Sequence, residues 1–148
     1  MTSGNTVRLD FHSSLEMLDL VQAASDHIGR MTGLDEDSIH WVGVAVRESV
    51  INAIKHGNSD DPRKRVQVEF TTVGETSRVA IAICVRDQGC GFDPATLADP
   101  LAAENILKTS GRGILLMRSF MDEMTFERIA EGGMQVRMIK RINQPTVA

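Results

Sequence analysis

The apolar positions of this chain change period several times, and each change marks an element. Val7, Leu9 and Phe11 alternate with polar residues, the period of a half-buried strand. Ser13 and Ser14 follow, and Glu16 stands three after Ser13, which predicts a capping box at a helix start. Leu15, Leu18, Val21 and Ile28 give that helix one apolar side, and Gly33 ends it. Asp35 or Asp37 starts a second, longer helix, which Gly57 would terminate as a C′ glycine. Asn58 to Lys64, with Pro62, reads as a polar turn. Val66, Val68 and Phe70 then alternate with polar residues. Val79, Ile81 and Ile83 lie in a more apolar run ending at Val85, and Gly74-Glu75-Thr76 supplies the hairpin turn. From Asp93 to Ser110 there is no strong period. Gly111-Arg112-Gly113 opens a helix from Ile114 to Met121. A final hairpin joins Met124–Ile129 to Met134–Ile142 through Gly132-Gly133, and the last six residues look frayed.

The predicted order is β-α-α-β-β-loop-α-β-β. Strands adjacent in sequence form hairpins, so the fold class is α+β: a two-layer sandwich of a mixed, largely antiparallel sheet with helices on one face. No repeat, linker or low-complexity tract interrupts it. Residues 1–148 form one domain, with a core of about 7–142.

The second helix poses a burial problem. Glu48, Asn52 and His56 fall four residues apart, the spacing of a shared helical face. Their neighbours Val42, Val44, Ala45, Val46, Val50, Ile51, Ala53 and Ile54 are apolar almost all the way round, as in a buried helix. A buried carboxylate and amide need partners. The stripe therefore lines a site, or it is a solvated polar face on which Glu48 pairs with Arg47 or Lys55. An amide oxygen is a suitable hard ligand for Mg²⁺. A carboxylate one turn away can accept a proton from an attacking hydroxyl.

Composition narrows the setting. A formal net charge of −4 and a pI near 5.5 argue against direct nucleic-acid binding, which usually needs a basic face. There is no run of about 18 apolar residues, so no membrane span is expected. The first residues lack the basic-then-apolar pattern of a signal peptide, and a cytoplasmic location is expected. The two cysteines, Cys84 and Cys90, fit neither a disulfide scaffold nor a zinc site; they read as a core thiol and a small loop residue.

Two glycine-rich phrases complete the candidate chemistry. Asp87-x-Gly89-x-Gly91-Phe92 follows a strand directly. Its glycines allow close backbone approach to a ligand, and its aspartate can accept a hydrogen bond from an exocyclic amine. The alternative is an ordinary glycine-rich turn with Asp as turn former. Gly111-x-Gly113 precedes a helix, where free N–H groups and the helix dipole favour an anion, with Lys108, Ser110 and Arg112 as further donors. Leu116 stands where a dinucleotide fingerprint needs its third glycine, and no P-loop occurs. The alternative is a capped helix after a flexible loop.

In this order, E-x-x-x-N-A-x-x-H-G, D-x-G-x-G-F and G-x-G-I-x-L-M resemble the N box and the two glycine boxes of the GHKL ATPase superfamily. Within it the chain looks most like the bacterial anti-sigma-factor serine/threonine kinases, over roughly Val7 to Ile142. That resemblance implies ATP and Mg²⁺ as cofactors. It makes Glu48 the general base, Asn52 the Mg²⁺ ligand and Asp87 the reader of adenine. Gly89, Gly91 and Phe92 would lie against the nucleotide. Gly111, Arg112, Gly113 and Ile114 would hold the phosphates with Ser110, and His56 and Gly57 would close the N-box end. Lys108 and Thr109 fall in the lid, where they could meet the γ-phosphate or a partner. The resemblance further implies an anti-anti-sigma protein as substrate, a sigma factor as a second partner, and a homodimer. The apolar side of the first helix (Leu15, Leu18, Val21) could serve the dimer contact, or pack into the core. The competing readings are a non-catalytic ATP-binding sequestration module and a detached histidine-kinase catalytic domain.

Overall fold

Alternation in the first strand extends further than Val7–Phe11: β1 spans Ser3–His12, with an irregularity between Ser3 and Thr6. The computed structural model describes residues 3–75, 78–89 and 118–142. A short 3₁₀ turn at Leu15–Met17 leads into α1 (Leu18–Thr32), which ends at Gly33 with φ 91°. α2 (Glu36–Asn52) starts on Asp35, whose side chain accepts from Ser38 N at 2.7 Å. A single π turn (Ala53–Gly57) continues it. The strands β2 (Arg65–Glu75), β3 (Arg78–Arg86), β4 (Glu123–Arg128) and β5 (Met134–Ile142) complete the described elements.

The sheet order is β1-β2-β3-β5-β4. All four pairings among the described residues are antiparallel, so the parallel component allowed by a mixed sheet is not among them. Of the predicted helix over Ile114–Met121, residues 118–120 are helical and 114–117 lie outside the described residues.

One face of the sheet is apolar. Val66, Val68 and Phe70 of β2 and Ile81, Ile83 and Val85 of β3 are buried there with Met138 of β5. Val42, Ala45, Val46 and Val50 of α2 and Val21 and Ile28 of α1 belong to the same core. Each such valine, isoleucine, phenylalanine or methionine side chain taken fully from water contributes about 1.5–3 kcal/mol. α2 packs against both α1 and β3, which is why it is apolar almost all round whereas α1 is one-sided. The opposite face of the sheet is polar and self-paired: Arg8 meets Glu69 at 2.8 Å, and Arg65 meets Asp10 at 2.6 Å.

Two local expectations are corrected, and one open alternative is decided in favour of core packing. Ser13 makes no capping box, because it is drawn inward. Its Oγ donates to Lys64 O at 2.9 Å, and Ser14 caps instead, accepting from Glu16 N at 3.3 Å. Gly74 and Glu75 are strand residues paired with Val79 and Arg78 and not turn residues; Thr76 lies outside the described residues. Leu18 and Val21 are core residues and cannot serve a dimer contact; Leu15 is exposed.

Candidate functional site

The α-helical bonding of α2 stops at Asn52. Asn58 N then donates to Ala53 O at 2.7 Å, an i→i−5 bond that widens the last turn. Glu48 and Asn52, both within the α-helix, keep a common face. His56 lies within the widened turn, outside the α-helix that carries Glu48 and Asn52, and is exposed. π turns are frequent at functional sites because they displace side chains from α register. Gly57 is not the left-handed terminator that its position suggested. The cap is Asn58, with φ −87°, and the positive φ values fall on Ser59 and Asp60.

Glu48 is half-buried and has no hydrogen bond or ion pair among the described residues. Arg47 turns away from it toward α1, reaching Gln22 Oε1 at 3.3 Å and Asp19 at 3.6 Å, and Lys55 is exposed. The pairing that would have made the stripe an ordinary solvated face is therefore not formed. Asn52 Oδ1 is buried with no hydrogen-bond partner among the described residues. An orphaned acceptor costs about 1–3 kcal/mol. A hard cation with retained waters would satisfy it, so Asn52 fits a Mg²⁺ ligand. Among the described residues no cluster of three His, Cys, Asp or Glu offers a closed metal cage.

Asp87 follows β3 and is only 7% exposed. Its main-chain N donates to Met134 O at 3.0 Å. Its Oδ1 accepts from Gly89 N at 3.0 Å and from Met134 N at 3.1 Å. Oδ2 lies directly over Gly57, where a Cβ would collide with the carboxylate. A Cβ on Gly89 would in turn run into the main-chain oxygen of Gly57. The two glycines thus let the π turn and the Asp87 loop pack backbone to backbone. Burial pushes the Asp87 carboxyl above the usual carboxylate range, against the pull of the Gly89 and Met134 N–H groups and of Lys64. A buried carboxylate with one oxygen bonded by main chain and the other without a hydrogen bond among the described residues can receive a donor such as an exocyclic amine.

Two contributors were not legible as site residues. Gly133 reads as a hairpin turn glycine, yet a Cβ there would strike Asp87 O. Asn58 reads as part of a polar turn, yet it is 0% exposed and bonded to three segments of the chain. Gly91, Phe92, Lys108, Thr109, Ser110, Gly111, Arg112, Gly113 and Ile114 lie outside the described residues, as does Cys90. Cys84 is half-buried on β3, and burial raises its thiol pKa, which fits an inert thiol.

The antiparallel sheet with helices on one face, the buried strand-end aspartate and the Asn52 oxygen without a partner among the described residues together define an ATPase domain of the GHKL type. Residues 11–140 match the histidine kinase-like ATPase domain family, and the chain belongs to that family. It is similar to the serine-protein kinase RsbW of Staphylococcus aureus strains JH9, Newman and USA300. Each is 28% identical over 141 residues, covering 91% of this chain and 86% of the relative. ATP binding follows from the family. No helix among the described residues is long and apolar enough to cross a membrane.

Proposed function

We propose that this protein is an ATP-dependent anti-sigma factor and serine/threonine kinase whose substrate is a small anti-anti-sigma protein. The observation that carries the reading is the pair on α2: a half-buried Glu48 one helical turn before the buried oxygen of Asn52, neither with a partner among the described residues. The relatives' printed name, serine-protein kinase, supports the same class. Asp87 accepts the adenine amino group, with Gly57 and Gly89 giving it room. Gly111, Arg112 and Gly113, with Ser110 and Lys108, hold the phosphates. Mg²⁺ at Asn52 would spread the charge that develops on the phosphates. Glu48 takes the proton of the partner's hydroxyl as its oxygen bonds to the γ-phosphorus, the bond to the β–γ bridging oxygen breaks, and ADP leaves. The added phosphate charge releases the partner, and the kinase is then free to hold a sigma factor. The working form is a cytoplasmic homodimer.

The test is transfer of label from γ-labelled ATP to proteins captured from the source cell. Acid-stable label on serine or threonine is expected. Acid-labile label would favour a histidine-kinase domain, and bound ATP with no transfer would favour a sequestration module.

Two consequences follow for binding. Asp87→Asn keeps acceptors for Gly89 N and Met134 N but loses the charge that strengthens the bond to the amine. ATP affinity should fall roughly ten- to a hundredfold, the worth of one charge-assisted hydrogen bond. The folded-state pKa of Asp87 lies above its unfolded value. Its contribution to stability is therefore fully present below the ordinary carboxylate range and lost as pH rises through the raised value. Above the raised value the ionised carboxylate opposes folding, so Asp87→Asn should gain stability relative to wild type as pH rises and lose that advantage on acidification. Thermal melts at several pH values, with calorimetric titration of ATP, check both; a variant that gains no relative stability as pH rises, with unchanged affinity, removes Asp87 from the role.

Asn52→Leu matches the branched shape without a polar atom. It should relieve about 1–3 kcal/mol in the nucleotide-free protein, raising Tm by a few degrees. It should also abolish the Mg²⁺-dependent part of the ATP-induced thermal shift. A nucleotide-free Tm well below wild type would show that Asn52 is already satisfied.

A further inference from the structure

Asn58 is wholly buried at the point where α2's π turn, the start of β2 and the Asp87 loop meet. Every hydrogen-bonding group of its side chain is used. Nδ2 donates to Ser13 Oγ at 2.8 Å and to Arg65 O at 3.0 Å, and Oδ1 accepts from Gln88 N at 2.8 Å. Its main-chain N closes the π turn on Ala53 O at 2.7 Å. Gln88 returns the connection, because its Oε1 accepts from Arg65 N at 2.7 Å.

We propose that Asn58 is the positioning residue for adenine specificity: it holds the Asp87–Gly89 loop at a fixed distance from Gly57, so that the Asp87 carboxylate stands where it can discriminate the base. This rests on the assignment of Asp87 as the adenine reader. The geometry is tight, since a single added carbon on Gly57 or Gly89 would overlap the opposing segment. Asp87 itself is anchored to β5 through Met134, on the far side of the loop. On the other side two side-chain bonds hold the loop among the described residues: Gln88 Oε1 accepts from Arg65 N at the start of β2, and the Asn58 bond to Gln88 N is the one that ties the loop to the residue closing the π turn. Only an amide side chain supplies two donors and an acceptor in so small a volume. The Asn58→Asp variant keeps the acceptor and loses both donors, whereas Asn58→Ala loses all three.

The readout is the ratio of ATP to inosine triphosphate affinity, because inosine lacks the amino group that Asp87 would bind. Wild type should favour ATP roughly ten- to a hundredfold. Asn58→Ala should bring the ratio close to one. Asn58→Asp, which still accepts from Gln88 N, should keep most of the discrimination despite lower stability. Ser13→Ala removes a bond from the same buried cluster without touching Gln88, and should lower Tm while keeping the wild-type ratio. Asn58→Ala that is less stable but still discriminates overturns the inference. Wild type that binds ATP and inosine triphosphate equally overturns instead the role of Asp87. Should the Asn58 variants fail to fold, amide exchange in wild type decides. The Gln88 amide should exchange at least tenfold more slowly than an open amide in the nucleotide-free protein, and an unprotected Gln88 overturns the anchor.

Discussion

Glu48→Gln should lower phosphoryl transfer by about 10²–10⁴-fold, the usual worth of a general base, while ATP affinity stays close to wild type. Glutamine matches glutamate in shape and can still hydrogen-bond, but it cannot take a proton. The surroundings of Glu48 sharpen the expectation. Arg47, the nearest candidate partner in sequence, is committed to Gln22 and Asp19 on α1. Glu48 makes no ion pair among the described residues, so removing its charge leaves no described cation stranded. A large stability loss is therefore not expected, and a fall in turnover reads as chemistry. Single-turnover transfer of labelled phosphate to the cognate partner, beside calorimetric ATP binding, makes the measurement. Retained transfer would end the general-base role; lost binding would move Glu48 from chemistry to nucleotide affinity.

Gly57→Ala should strongly damage nucleotide binding. Its methyl group would occupy the place of the Asp87 carboxylate. That carboxylate cannot step aside cheaply, since Oδ1 is held by two main-chain N–H groups and the residue is buried. Either the carboxylate leaves its donors or the π turn shifts away from the loop. In both cases the amine loses its acceptor, and ATP affinity should fall by at least ten- to a hundredfold. The predicted signature includes a lower Tm, unlike Asp87→Asn, because alanine here adds a clash where asparagine removes a charge cost. Titration and melting of the variant test it. Wild-type affinity in Gly57→Ala would mean that the site does not depend on the contact between Gly57 and Asp87.

Much of the architecture was legible in the sequence because it rests on periodicity. The alternation in Val66–Phe70 and Val79–Val85 set strand faces, and the one-sided α1 and all-apolar α2 set the helical layer. Local capping chemistry narrowed the helix start to Asp35 or Asp37, and the structure places the cap on Asp35. Sequence also located the unusual groups, since Glu48 and Asn52 break an apolar run and Asp87 opens a glycine phrase.

What those groups do to one another was decided by tertiary structure. The spacing of His56 placed it with Glu48 and Asn52 on one α-helix, but the i→i−5 bond of Asn58 to Ala53 puts it in a π turn instead, exposed. Gly57 resembled a helix terminator, and its conformation is ordinary; its lack of a side chain serves an aspartate at the far end of β3. Ser13 and Asn58 resembled a cap and a turn residue, and became buried hydrogen-bond partners of each other. Local patterns report which face of an element is apolar, because burial repeats with the element's own period. Contacts between segments distant in sequence have no period, so the packing of the π turn on the Asp87 loop emerged only once the chain had folded.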